Sequence, residues 1–249
     1  MDKYGLFGYP LGHSFSRGFF TDKFAKEHID AEYLNFEIPS IDDYLATLDA
    51  NPELRGHNVT IPYKQQVIPF LDEMSAEAEA IGAVNVVRVG EKNGKRYLKG
   101  YNSDVIGFVD SLRPLLTPIH TSALILGTGG ASKAVKYGLE KKLGMETLYV
   151  TRTPKLGMIT YEQVTADVLR KYQVIVNCSP CGMYPHVDEC PAIPYEALTS
   201  DNILFDLVYN PLETLFMKKG AENGAVVKNG LEMLHLQAIA SWEFWHENV

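Results

Sequence analysis

The 249-residue chain is 46 % apolar and 22 % charged, the balance of a globular protein whose length suits one large domain or two of ordinary size. Its 23 Lys and Arg against 31 Asp and Glu leave a formal charge of −8, which argues against a general polyanion binder, because phosphate backbones are bound by positive surfaces. Three cysteines do not make a disulfide framework, no apolar run approaches the roughly 20 residues of a membrane span, and MDKYGLFGYPLGHS at the start has no apolar stretch behind a basic opening, so a cytoplasmic protein is expected.

The first hundred residues read as strands alternating with helices. YGLFGYP is a strand and turn. SRGFFTDKFAKEHI carries Phe19, Phe20, Phe24 and Ile29 near helical spacing. AEYLNFEI alternates as a strand, IDDYLATLDA is a short helix, and HNVTI is a third strand. PYKQQVIPFLDEM is expected to open a helix with Pro62 in its first turn. AVNVVRVGEKNGKRYLKGYNSD reads as two strands joined at Asn93-Gly94.

NSDVIGFVDSLRPLL is a helix, after which Pro114 and Pro118 punctuate the chain. TSALILGTGGASKAVKYGLEKKLGMETLYVTRTP is strand, glycine turn, helix and strand. YQVIVNCSP, NILFDLVYNP and GAVVKNG are short apolar runs, as in a parallel sheet covered on both faces. LEMLHLQAIASWEFWHENV closes as a helix, with Leu231, Leu234, His235, Ala238, Trp242 and Trp245 on one side. The alternation implies an α/β fold.

GTGGAS, between the strand Ala123 to Leu126 and a helix, has the setting of a dinucleotide turn. Gly127 permits a tight turn, and Gly129 lets the backbone approach a pyrophosphate that the helix N-terminus attracts. Ser132 stands where the third glycine of such a motif falls, so that packing contact must tolerate a hydroxyl. The next strand selects the dinucleotide. An acid at its end would take the ribose hydroxyls of NAD. No Asp or Glu lies between Thr147 and Met158; Arg152 and Lys155 are there instead, and an Arg grips a 2′-phosphate in a forked, charge-assisted contact. NADP is therefore the expected cofactor.

Polar residues gather at strand ends in the first half: Ser14 and Ser16 in HSFS, Asn58, Thr60 and Lys64 around the third strand, Asn85 inside AVNVV, and Asn102 and Asp104 in YNSD. Ligands of parallel α/β sheets collect beyond the carboxyl ends of strands. Amides and hydroxyls there suit a polyhydroxylated small molecule, and a Lys with an Asp suggests a proton-transfer pair. Ser14 or Ser16 would equally serve as a helix N-cap. Lys64 in the first turn of the expected helix is electrostatically out of place, which favours a functional reason for it.

In this order the elements GYPLGHSFS, HNVTIPYK, IGAVNVV, GYNSD, GTGGAS, TRT, NCSPCGM, DLVYNP and NGLEMLHLQA make the chain resemble the shikimate dehydrogenase family over essentially its whole length. The resemblance implies an NADP-dependent oxidoreductase acting on a CH–OH group, reducing 3-dehydroshikimate reversibly to shikimate in chorismate and aromatic amino acid biosynthesis. It implies two domains. Residues 1–103 with 231–249 would form an α/β substrate domain to which the C-terminal helix returns, and 104–230 a Rossmann-type NADP domain. Carried over motif by motif, Lys64 and Asp104 would be the catalytic pair. Ser14 and Ser16 would hold the substrate carboxylate; Asn58, Thr60, Asn85 and Gln237 would bond its ring hydroxyls, and Tyr209 would line the site. Gly127, Gly129, Gly130, Ala131 and Ser132 would cradle the pyrophosphate. Thr151, Arg152 and Thr153 would receive the 2′-phosphate, while Met183, Gly230 and Met233 would sit near the nicotinamide.

The sequence departs from the family pattern in places. Thr128 occupies the variable position of the usual GAGGA turn, Thr151 replaces the Asn of NRT, and NCSPCGM stands for NATPLGM. The last change makes a C-x2-C-x4-H-x3-C series from Cys178, Cys181, His186 and Cys190. Thiolates with an imidazole suit zinc, but the cysteines lie in the family's cofactor loop, so no metal is expected and the thiols read as small apolar groups. Rival readings are a dual-specificity quinate/shikimate dehydrogenase, a non-catalytic ligand-sensing relative, and a zinc-dependent nucleic-acid binder, the last opposed by the charge. The expected partner is a small molecule, with no nucleic acid or membrane; monomer and homodimer both stay open.

Overall fold

The computed structural model describes residues 1–12 and 15–247. The chain divides into two compact units, Met1–Ser103 with Gln237–Val249, and Asp104–Leu236.

Unit 1 contains β1 (Asp2–Gly8), α1 (Phe15–Lys26), β2 (Ala31–Glu37), α2 (Tyr44–Asp49), β3 (Leu54–Val59), β4 (Glu73–Met74), α3 (Ala76–Ile81), β5 (Val86–Lys92) and β6 (Lys95–Tyr101). They form one mixed sheet in the order β2-β1-β3-β5-β6-β4. β1 lies parallel to β2 and β3, whereas β3–β5 and β5–β6 are antiparallel. The β5–β6 hairpin closes at Asn93 (φ 55°) and Gly94 (φ 72°), the two left-handed residues that a tight hairpin with native twist requires.

The expected helix over 62–74 is not formed. Residues 61–67 are turns, followed by a short 3₁₀ segment, Ile68–Phe70. Pro69 has no N–H, so the bond that would carry a helix back to Gln65 cannot form. Lys64 is therefore not at a helix N-terminus, and the dipole misfit expected from the sequence does not arise.

Two apolar clusters cover the sheet. One joins Phe7, Tyr44, Leu54, Val59 and Val67. The other is aromatic: Tyr4, Phe20, Phe24 and Tyr33 meet Trp245 and the half-buried Trp242. Those tryptophans come from the far end of the chain, on α8 (Leu231–Trp245). A Cβ at Gly56 would lie 2.2 Å from the Trp245 ring, so only glycine lets the indole rest on β3. The expected apolar stripe of α8 is partly right. Ala238 and Trp245 are buried, but Leu231 and Leu234 are half-buried and His235 is exposed, while Met233, Ala240 and Ser241 are buried in addition.

Unit 2 contains α4 (Asp104–Leu112), β7 (Ser122–Leu126), α5 (Gly130–Tyr137), β8 (Glu146–Thr151), β9 (Met158–Thr160), α6 (Ala166–Lys171), β10 (Val174–Asn177), β11 (Ile203–Asp206), α7 (Leu215–Glu222), β12 (Val226–Lys228) and the start of α8. Its sheet, in the order β12-β11-β10-β7-β8-β9, is parallel at every pairing. The strands β7, β10 and β11 are buried throughout, as expected of a sheet covered on both faces. This is the doubly wound, Rossmann-type arrangement that the sequence implied. Among the described residues no helix is long and apolar enough to cross a membrane.

Candidate functional site

In unit 1 the ends of β1 and β3 and the segment before β5 are tied together by backbone. Thr60 N–H donates to the Phe7 carbonyl at 2.9 Å, Val59 N–H to Asn85 at 2.9 Å, and Asn85 N–H to Tyr101 at 3.1 Å. The Lys64 carbonyl accepts from Val84 N–H at 2.7 Å. Thr60, Lys64 and Asn85 are thus brought together at one end of the sheet's central strands by main-chain bonds, and Lys64 is half-buried there. Ser16 lies within the first turn of α1, not at its cap. Ser14 lies outside the described residues.

The polar side chains here form a layer. The Tyr33 phenol donates to Asn58 Oδ1 at 2.8 Å. Asn58 Nδ2 donates to Ser241 Oγ at 2.9 Å and to the Asn85 carbonyl at 3.3 Å. Asn85 Nδ2 donates to Ser103 Oγ at 3.0 Å, and its Oδ1 accepts from Ser103 N–H at 2.7 Å. Tyr33, Asn85, Ser103 and Ser241 are buried. Burial pushes the Tyr33 phenol far above its ordinary range, so it stays protonated as the donor to Asn58. Asn102 donates to the Ala83 carbonyl at 2.9 Å. Gln237 is half-buried on α8.

Unit 2 places the carboxyl ends of four strands side by side. Gly127 N–H donates to Val150, Cys178 N–H to Leu126, and Leu207 N–H to Asn177, at 2.9, 2.9 and 3.0 Å. Gly127 has φ 99° and directs the chain out of β7, with Ser179 only 3.4 Å from where its Cβ would be. A Cβ at Gly129 or Gly130 would meet nothing within 4 Å. The turn is open on its outer side, and a ligand can approach main chain there. The hydroxyl of Ser132, a buried residue, donates back to the Gly129 carbonyl at 2.6 Å. It fills the third-glycine position by satisfying the turn. Ala131, beside it, is half-buried in α5.

Beyond β8, Thr151 is buried while Arg152, Thr153 and Lys155 are exposed. Thr151 Oγ1 accepts from Thr153 N–H at 3.3 Å. The hydroxyl that replaces the family's Asn thus shapes the loop carrying Arg152.

The ends of β10 and β11 are joined by a second buried network. Asn177 Nδ2 donates to Asp206 Oδ1 at 2.9 Å, and its Oδ1 accepts from Ser179 N–H and Oγ at 3.1 and 2.6 Å. Asp206 also accepts from Val208 N–H at 3.0 Å and Thr214 Oγ1 at 2.6 Å. Burial outweighs these bonds and pushes the Asp206 carboxyl up to about 6. The network shapes the loops that carry Met183 and Tyr209, both partly exposed. Gly230 has a packing role of its own: a Cβ there would lie 2.2 Å from the Leu207 carbonyl. Met233 is buried one turn further on. Asp104, buried, opens α4, where the helix dipole favours a carboxylate. Desolvation raises the Cys178 and Cys181 thiols above the ordinary range, as for thiols in apolar surroundings. Among the described residues no three His, Cys, Asp or Glu side chains are grouped to hold a metal.

The model of the shikimate dehydrogenase substrate binding domain matches residues 6–87. The shikimate dehydrogenase (NADP(+)) of Carboxydothermus hydrogenoformans is 37 % identical over 258 residues, covering 97 % of this chain and 90 % of that protein. The chain belongs to the shikimate dehydrogenase family. Among solved structures, the family member from Aquifex aeolicus is similar at a TM-score of 0.85 and 34 % identity, covering 98 % of this chain and 92 % of that one. The Thermus thermophilus enzyme, solved in complex with NADP(H) and shikimate, gives 0.85 at 29 % identity, covering 99 % and 94 %.

Against the family's motifs, sequence reasoning missed the residues that hold others in place: Tyr33, Ser103 and Ser241 in unit 1, Asn177, Asp206 and Thr214 in unit 2. Two had a readable signal. Ser103 lies inside the YNSD motif, and Ser241 follows Gln237 by four residues, one helical turn.

Proposed function

We propose that this family member is an NADP-dependent shikimate dehydrogenase, with unit 1 as its substrate domain and unit 2 as its dinucleotide domain. The observation that carries the cofactor is the glycine turn, open at Gly129 and Gly130 and followed on the next strand by exposed Arg152 with no acid nearby. The turn's backbone and the α5 N-terminus suit a pyrophosphate; Arg152, with Thr151 and Thr153, suits a 2′-phosphate. Ser14 and Ser16 hold the carboxylate of shikimate, and Thr60, Asn58, Asn85 and Gln237 address its ring hydroxyls. Met183, Gly230 and Met233 face the nicotinamide, with Tyr209 lining the substrate side.

Bound NADPH supplies the hydride that reduces the ketone carbon of 3-dehydroshikimate. Lys64 Nζ, as an ammonium, stabilises the developing alkoxide and gives it a proton. Asp104 orients Lys64 or relays the proton. In the reverse direction Lys64, as the amine, receives the proton of the alcohol. The test is reduced-nicotinamide absorbance with shikimate and NADP⁺, then NAD⁺, then quinate in place of shikimate. Turnover is expected to be fastest with shikimate and NADP⁺; no turnover of shikimate, or a preference for NAD⁺, overturns the reading.

A further inference from the structure

The polar layer of unit 1 converges on Ser241. Ser241 Oγ donates to the Gln237 carbonyl one turn back at 2.7 Å. Its proton is thereby committed, so in the contact with Ser103 Oγ at 3.2 Å the Ser103 hydroxyl is the donor, with Asn85 Oδ1 at 3.4 Å as its alternative acceptor. Ser241 Oγ also accepts from Asn58 Nδ2 at 2.9 Å. One buried hydroxyl thus takes two hydrogens and gives one, and is saturated. It joins β3 through Asn58, the end of β6 through Ser103, and α8 through Gln237. Ser103 in turn takes the Asn85 amide at 3.0 Å.

The consequence for Asn58 is specific. Its two amide hydrogens go to Ser241 and the Asn85 carbonyl, and one lone pair of Oδ1 takes the Tyr33 proton. What remains for a ligand is the other lone pair. Asn58 can therefore address a ligand hydroxyl only as an acceptor. We propose that Ser241 is a positioning residue for substrate recognition: its hydroxyl fixes the amide of Asn58 directly and that of Asn85 through Ser103, so that both meet the ring hydroxyls already oriented. This rests on the proposed shikimate reaction, in which those amides touch the substrate. A hydroxyl that acts this way changes the binding of one substrate and not of the other, because a misoriented amide loses its contact in ground state and transition state alike.

The test is steady-state kinetics of the full chain with Ser241→Ala. KM for shikimate should rise about ten-fold, with kcat within about three-fold and KM for NADP⁺ within about two-fold. Ser241→Thr keeps an Oγ that can bond the same carbonyl and should return KM to within about three-fold of wild type. Ser103→Ala, which removes one donor to the hub, should raise KM in the same sense, and the double variant should be no worse than about the Ser241→Ala variant. It also serves as the test variant if Ser241→Ala does not fold. A lower melting temperature with all KM values unchanged would mean a purely structural hydroxyl and overturns the proposal; so does a Thr variant as impaired as the Ala one. If wild type turns over shikimate and the variants bind it normally, only this inference falls. If wild type does not turn it over, the proposed reaction and this inference fall together.

Discussion

The two units hold their functional groups by different means. Unit 1 orients amides and hydroxyls by side chains bonded to side chains, Tyr33 to Asn58 to Ser241 and Asn85 to Ser103. Unit 2 presents main chain at an open turn, Gly127 to Gly130, and keeps its side-chain network one layer behind, at Asn177, Asp206 and Thr214. The difference follows from what each would meet. A pyrophosphate carries charge in every direction, and backbone N–H groups at a helix start suffice for it. A ring with several hydroxyls demands that each donor and acceptor point correctly, which free rotors do not guarantee. The cost is the entropy of ordering them, which is met when the unit folds and not when the ligand arrives.

The contrast extends to buried ionisable groups, which respond to acid in opposite senses. In unit 1, His57 is buried against Tyr44, Nε2 to the phenol oxygen at 2.9 Å, and desolvation lowers its pKa from 6.5 to about 3. The folded state therefore disfavours the proton. Stability is complete above 6.5 and is lost as pH falls toward 3, by on the order of 5 kcal/mol in all. Both tryptophans lie on α8 within unit 1, so their fluorescence reports that unit. The urea midpoint followed this way should fall steeply between pH 6.5 and 4, and His57→Gln should flatten the slope. Parallel slopes would remove His57 as the cause.

The next largest effect separates chemistry from orientation. Lys64→Ala should lower kcat by about 10²–10⁴-fold, with KM for shikimate changed far less, since in the proposed reaction Lys64 would meet charge mainly in the transition state. An unchanged kcat would take Lys64 out of the proton transfer and leave unit 1 a binding layer only.

How much of this was readable depended on the distance between partners along the chain. The glycine turn, Arg152 and the Asn93-Gly94 hairpin are local: each states its conformation within a few residues. The strands of the parallel sheet were equally plain, because burial on both faces leaves unbroken apolar runs. The helix expected over 62–74 failed on a local detail, Pro69, that was present in the sequence and outweighed by the apolar spacing around it. Ser241 was not legible as a hub. Its partner Asn58 is 183 residues away, and a serine on a helix that mixes apolar and polar residues reads as a neutral choice. Asp206 was hidden differently: it lies inside the apolar run NILFDLVYNP, where the family motif points to Tyr209 and not to the acid.

Asp206 tests the opposite pH sense. Its carboxyl is raised from 3.8 to about 6, so the folded state favours the proton. The stability it contributes is complete below 3.8 and is lost as pH climbs through 6, by about 3 kcal/mol. Asp206→Asn does not titrate, so its stability relative to wild type should improve steadily from pH 4 to pH 6 and then level off. Amide exchange in β10 and β11 measures this in unit 2, where tryptophan is silent. A flat difference would mean that the bonds from Thr214, Val208 and Asn177 fully offset burial.

The smallest effect asks whether unit 2 uses any side chain directly. Arg152 is exposed, so the proposed grip on a 2′-phosphate would work partly through water and be screened by salt. Arg152→Ala should raise KM for NADP⁺ by about ten- to thirty-fold, the lower part of the range of a charge-assisted hydrogen bond, and leave KM for NAD⁺ nearly unchanged. The wild-type preference should also narrow as ionic strength rises, whereas that of the variant should not. Equal losses with both cofactors would mean that Arg152 supports the loop and not the phosphate. The preference would then rest on Thr151, Thr153 and Lys155, and the open glycine turn would bind either dinucleotide alike.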